Sequence, residues 1–318
     1  MKRIILYILP VLIAMTLQTQ VSHAQDAIFS QFFSSPMYLN PAYAGTENGF
    51  RITSNFRSHP IPDASNFSTI SASVDVYAPR MRGGLGLIVI SDNQGEMAWN
   101  NHIDVIYAVH IRLSRNWDLN FGAQAGYFRR DIRWGNLDFL DPNQPPPEDE
   151  HTHAPNFGSG ILVFNDWFYA GAAMHHMAEP NQSVFSNHKL PRKYTAHAGM
   201  LFAPPEARRV HTVPYEYFFS PNIIYQHQGG INRINIGLYA GAEPVMIGAW
   251  YRHNLQEPSA IIFLAGLRRG DFTFGYSYDY SLSGSTDVRH GVHEISLSYV
   301  LMSRQQERRL RMPPMPFN

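Results

Sequence analysis

The chain is 318 residues long and carries 25 basic and 25 acidic side chains, so no net charge draws it to nucleic acid. Aromatic residues make up 13% and charged residues only 16%, a balance too aromatic for a disordered chain and too lightly charged for an ordinary soluble domain. There is no cysteine, which excludes disulfides, thiolate chemistry, thiolate metal centres and a lipid-bearing cysteine after a leader.

Residues 1–24 read as an export signal. Lys2 and Arg3 form a positive start, Ile4 to Leu17 is apolar, and Ser22-His23-Ala24 places small residues ahead of a cleavage before Gln25. Taken instead as a membrane anchor, that apolar run falls short of the ~20 residues a spanning helix needs. Residues 25–48 form an irregular, aromatic segment, "FSQFFSSPMYLNPAYAG" from Phe29 to Gly45, in which Pro36 and Pro41 oppose extension of a sheet. Its rings are too apolar to stay solvated, so it is expected to pack inside a lumen mouth or against a partner.

From Gly49 onward the chain alternates. In "HIDVIYAVHIRL" Ile103, Val105, Tyr107, Val109 and Ile111 share one side and His102, Asp104, His110 and Arg112 the other. "WDLNFGAQAGYF", "FTFGYSYDY" and "HEISLSYVL" repeat the pattern, the mark of strands with one apolar and one polar face. Strands are expected at 49–57, 67–77, 84–91, 100–113, 117–129, 156–164, 167–175, 193–202, 217–227, 231–241, 245–252, 259–268, 271–280 and 291–302. Many run about ten residues, the length of a tilted strand crossing a bilayer. The second, fourth, sixth and twelfth connections look tight, and the first, third, fifth, seventh and thirteenth look long and polar. The long eighth ("APPEARRVHTVPYE") and the short ninth ("QGG") break that rule.

A soluble sandwich alternates too. Rings that bracket smaller residues on the apolar side favour a lipid-facing girdle, as with Trp117 and Tyr127, or Tyr194 and Phe202 around Ala196, Ala198 and Met200. The expectation is an all-β fold: a transmembrane antiparallel β-barrel of about 14 strands, outer-membrane type, over residues 49–302. Its polar stripe would line a hydrated interior. An even strand count leaves both termini at the periplasmic side. The basic, proline-rich tail 303–318 carries Arg304, Arg308, Arg309 and Arg311 against Glu307. It reads as solvated, with contact to a periplasmic partner or lipid headgroups as the functional alternative.

Chemistry-bearing motifs are sparse. "MHHM" (Met174–Met177) and His151 with His153 invite a metal, but they fall in long loops or at a strand end without a third ligand at fixed spacing. Glu148, Asp149 and Glu150 lack the spacing of a calcium loop and read as a solvated acidic stretch. There is no G-x-S-x-G, Walker A or HExxH, and "GGLGLIV" lacks dinucleotide-motif spacing. No cofactor, no metal and no enzymatic activity are expected.

The segment "QDAIFSQFFSSPMYLNPAYAGTENGFRITSNFRS" resembles the N-terminal signature of the PorP/SprF family of type IX secretion proteins of Bacteroidetes. Gln25, Asp26, Phe29, Ser30, Gln31 and Phe32 match its first part, and Pro36, Asn40, Pro41, Ala42, Ala44 and Gly45 its second. Weaker matches follow at Gly83–Gly95, Ile132–Gln144 and His293–Leu301. The chain departs from the pattern at "SHPIP", where a tryptophan often stands, and in its tail beyond the last strand, which obscures a simple assembly signal. The resemblance implies an outer-membrane component of the secretion and gliding machinery. Its implied partners are outer-membrane lipid, periplasmic ring and lipoprotein components, and secreted proteins with a C-terminal sorting domain. Phe29, Gln31, Phe32, Pro36, Asn40, Pro41 and Gly45 are the residues expected to plug the lumen or meet a partner. The alternative function is a passive or gated porin for small solutes.

Overall fold

The computed structural model describes residues 26–47, 49–60, 67–95, 97–136, 148–183, 189–204, 217–255, 257–282, 291–302 and 312–315. The expected leader, residues 1–24, and most of the tail lie outside them.

Fourteen strands follow one another: β1 (Gly49–His59), β2 (Phe67–Ala78), β3 (Gly83–Gln94), β4 (Ala98–Arg112), β5 (Asp118–Ile132), β6 (Glu150–Phe164), β7 (Phe168–His175), β8 (Lys193–Met200), β9 (Phe218–Gln228), β10 (Ile231–Ala242), β11 (Val245–Asn254), β12 (Glu257–Arg269), β13 (Phe272–Ser281) and β14 (Val292–Met302). Each pairs antiparallel with the next, and β1 closes the ring on β14 from Gly49↔Met302 to Ser58↔His293. Closure leaves no unpaired edge, which a sheet surrounded by hydrocarbon requires.

The outward side chains form an apolar band. Ile52, Phe56, Ile70, Val89, Val105, Ile161, Ile223, Ile247 and Phe263 are all exposed. Their neighbours in sequence point inward and are polar: Arg51, Thr53, Asn55, Ser71, Ser73, Asp75, Asn120 and Gln124 are buried. The alternation read from the sequence is therefore the lipid–lumen alternation of a membrane barrel.

All fourteen expected strands are present, with two differences. β6 begins at Glu150, so His151 and His153 sit on a strand rather than in a loop. The third connection is only residues 95–97. In both places polar residues continue the backbone ladder past the apolar band. There the outward residues, such as His151, Trp99 and Asn101, are not aliphatic, so the apolar–polar signal disappears while the hydrogen bonds persist. The ninth connection is a two-residue turn, Gly229 and Gly230, at φ +59° and +84°. Such a turn needs positive φ at both positions, hence two glycines.

Gly49 and Met302 share one rim, called here the terminal rim. The segment before β1 runs up the lumen. It holds a 3-10 turn (Phe32–Ser34), one turn of α-helix α1 (Pro36–Leu39) and a second 3-10 turn (Pro41–Tyr43). Pro36 and Pro41 each open their turn, where a missing N–H costs nothing. Gly45 lies beside Val76, Tyr77 and Gly84 at the terminal rim. Asp26 meets His176, Lys193 and Gln228, at the ends of β7, β8 and β9 on the far rim. An even strand count led to the expectation that both chain termini share one rim. The barrel's own ends do, but the segment crosses the interior, so its beginning lies toward the other.

The lumen is consequently packed rather than uniformly hydrated. Near the terminal rim Phe32, Phe33, Leu39 and Tyr43 cluster with Leu162, Tyr169, Tyr239, Trp250, Ile262 and Leu264 from the wall. Burying each such large side chain contributes about 1.5–3 kcal/mol. The described piece of the tail departs from the expectation of a solvated extension. Met312 and Met315 are 0% and 3% exposed, and Met315 joins this same cluster.

Candidate functional site

The seven residues singled out from the sequence all lie in the lumen-crossing segment and are all buried. Ser30 is the hub at its upper end. Its backbone N–H donates to Glu294 Oε2 at 2.7 Å and its hydroxyl to Asp279 Oδ2 at 2.7 Å. Arg57 Nη1 and Arg252 Nη2 donate to that hydroxyl at 2.8 and 2.9 Å. The two arginines also pair with the acids: Arg57 with Asp279 (2.9 Å) and Glu294 (3.1 Å), Arg252 with Asp279 (2.9 Å). Gln31 extends the grip, donating to Glu294 O at 2.8 Å and accepting from Ser296 Oγ at 2.5 Å. Four wall strands, β1, β11, β13 and β14, and the segment thus share one buried ionic knot.

Further along, Asn40 works in both directions. Its side-chain oxygen caps the following turn by accepting from Ala42 N at 2.9 Å, and its amide donates to Ile161 O at 2.9 Å. Phe32 packs on Trp250 at 4.9 Å between centroids, and Phe29 meets Tyr38 edge-on at 5.1 Å. Near the terminal rim Gly45 N donates to Asp75 Oδ2 at 2.8 Å. Arg51 bridges Asp75 (2.8 Å) and Glu47 (3.1 Å). Burial pushes the Glu47 carboxyl up, and Arg51 offsets this only in part.

Close approach fixes where glycine must stand. A Cβ on Gly84 would overlap the Ala44 carbonyl, and one on Gly122 would overlap Pro41 and Ala42. Backbone has no room to yield there. Gly122→Ala is expected to loosen the segment without breaking the ring. Limited proteolysis of the detergent-solubilised protein checks this: cleavage within residues 26–47 should speed up at least roughly tenfold, as for a local opening made ~1.4 kcal/mol easier.

Asp26 was matched to the family signature without a role. It accepts from His176 Nε2 at 2.8 Å and pairs with Lys193 at 3.3 Å, whose ammonium lies 3.9 Å over the Tyr38 ring. Burial alone would raise this carboxyl, but the charges of His176 and Lys193 outweigh it and hold it well below 3.8. An acid depressed in the folded state stabilises fully above its unfolded value and loses that contribution only as pH falls through the lower folded value. Anchoring of the segment is therefore expected to persist from pH 7 to pH 4 and fail only in stronger acid. Proteolytic nicking within residues 26–47, measured by an acid-active protease across pH 2–5, reads this directly.

His175 and His176 of "MHHM" thus face the lumen, and His176 tethers the segment. On the outer face His151 Nδ1 meets Asp131 at 2.6 Å and His153 stacks on Tyr127 at 5.8 Å. Among the described residues no three His, Asp or Glu converge as metal ligands. The acidic loop is described only from residue 148.

The family model for "Type IX secretion system membrane protein PorP/SprF" matches residues 21–299, most of the chain. The chain belongs to the PorP/SprF family. No curated protein matches it. Solved structures with a similar path are outer-membrane barrels. Omp33 of Acinetobacter baumannii has TM-score 0.48 and 6% identity, covering 81% of this chain and all of that one. The KdgM porin has 0.38 and 7%, covering 78% of this chain and 99% of its own. A variant of the Rh. blastica porin has 0.37 and 8%, covering 79% and 99%. This PorP/SprF protein is accordingly a membrane component of the type IX secretion system, built as an outer-membrane barrel.

Proposed function

We propose that this PorP/SprF barrel is a non-enzymatic part of the secretion apparatus that works by contact, presenting its rims to secreted cargo or to periplasmic ring and lipoprotein components. One observation supports the reading above others: the lumen is occupied by the chain's own residues 26–47, bonded to strands on opposite walls. A barrel filled in this way has little cross-section left for solute flow and offers rims as its working surfaces. With the terminal rim facing the periplasm, that rim is where ring components would dock. The test is a gentle-detergent pull-down from native envelopes. Periplasmic or surface proteins should co-purify with the intact chain. Recovery of the barrel alone, together with steady conductance of the intact protein in a planar bilayer, would favour the porin reading.

A further inference from the structure

Two hairpin turns meet on the outer flank of the terminal rim. One is Pro79–Met81 with Arg82, between β2 and β3, and the other is the stretch 113–117 between β4 and β5. His110 N donates to Arg82 O at 3.0 Å, and the Tyr107 hydroxyl donates to Met81 O at 2.8 Å, so the first turn lies against the end of β4. Arg80, Arg82, Arg112 and Arg115 are all exposed at this corner. Its acid is Asp118, which pairs with Arg112 at 3.5 Å. Arg80 and Arg82 have no acidic partner among the described residues. On the β10–β11 and β12–β13 turns of the same rim, by contrast, arginine stands with acid. Arg268 pairs with Glu243 at 3.5 Å, and Arg269 shares its turn with Asp271.

The residues beside these arginines are apolar and face lipid. Met81, Ile111 and Leu113 are exposed, and the last two continue the outward stripe of Val105 and Tyr107 along β4. Leu113 N donates to Trp117 O at 2.9 Å, which sets an interfacial ring next to them. The guanidiniums therefore stand where the hydrocarbon band ends, at the depth of the lipid headgroups. There an arginine stem covers apolar surface while its charged head meets phosphate.

We propose that this corner binds the phosphate of an anionic glycerophospholipid, held by Arg80 and Arg82, with Met81, Ile111 and Leu113 against its acyl chains. A guanidinium offers phosphate paired N–H donors, and its charge favours a headgroup of net negative charge over a zwitterionic one. An acidic protein surface would suit the arginines but not an apolar stripe that runs on into the lipid-facing band. The patch lies on the outer side of the barrel, so this reading and the secretion reading stand apart.

Native mass spectrometry of the full chain, released from non-ionic detergent doped with lipid, tests this. Phosphatidylglycerol should be retained saturably and at least about tenfold more tightly than phosphatidylcholine with the same acyl chains. Glycerol 3-phosphate, which lacks the chains, should show no binding up to about 10 mM. The double change Arg80→Gln with Arg82→Gln should weaken phosphatidylglycerol about tenfold, with the heat-induced gel shift of the folded barrel kept. Arg269→Gln, on another turn of the same rim, should change it less than about twofold. The lipid comparison on the unsubstituted chain needs no variant to fold. Equal retention of the two lipids, unchanged retention in the double variant, an equal loss in Arg269→Gln, or glycerol 3-phosphate bound as tightly as the lipid would each overturn the proposal. So would an acidic envelope protein captured by the intact chain and lost from the double variant while both retain the lipid equally.

Discussion

Removing residues 26–47 should turn a nearly silent barrel into a conducting one. The inward side chains that now hold the segment, among them Asn55, Asp75, Asn120, Asp279 and Glu294, are polar or charged and would accept water in its place. Fourteen strands close into a ring larger than the eight-stranded barrels whose interiors side chains fill, and close to the size that leaves an aqueous channel. The expected result in a planar bilayer is a rise of roughly tenfold or more in single-channel conductance. The deletion also exposes Tyr239, Trp250 and Ile262 to the lumen, so the heat-induced gel shift must first show that the shortened chain still folds. A folded, shortened barrel that conducts no better than the intact one would mean that loops close the pore independently.

The second large effect concerns the ionic knot. Arg57 is the counterion of both Asp279 and Glu294, whose side chains are only 3% and 0% exposed. Arg57→Ala leaves Glu294 with no arginine partner and Asp279 with Arg252 alone. Losing one partner of a buried pair typically costs on the order of 3–5 kcal/mol, because the remaining charge stays desolvated. Urea titration followed by the gel shift should show that loss. The double change Arg57→Met with Glu294→Met should cost less than Arg57→Ala alone, since it removes the orphaned charge as well. A double variant at least as unstable as the single would mean that Glu294 acts chiefly through its bonds to Ser30 and Gln31.

The strands were legible because lipid enforces a simple rule: every second residue must be apolar. The occupant of the lumen was only half legible. The aromatic segment announced that it needed cover, but the polar inward stripe reads the same whether water or protein fills the barrel. One signal pointed to protein. "GGLGLIVI" and "AIIFLAGL" are apolar on both faces, and their inward members Ile88, Ile90, Ile262 and Leu264 are buried in the structure. A lipid-facing strand that is apolar inward as well lies against protein. The knot was invisible for another reason. Parity places Arg57, Arg252, Asp279 and Glu294 inward, but only three-dimensional closure reveals that they meet at Ser30. The buried methionines of the tail sit beside prolines and arginines that suggest a solvated end, and nothing in their spacing marks them as inward.

The path of the first described residues constrains how the molecule is put together. With β1 sealed to β14, the segment has no sideways route to its place: it enters along the barrel axis from the terminal rim, or the sheet closes around it. Any folded cargo fused ahead of Asp26 would be stranded on the opposite side of the bilayer from the point where the chain enters β1.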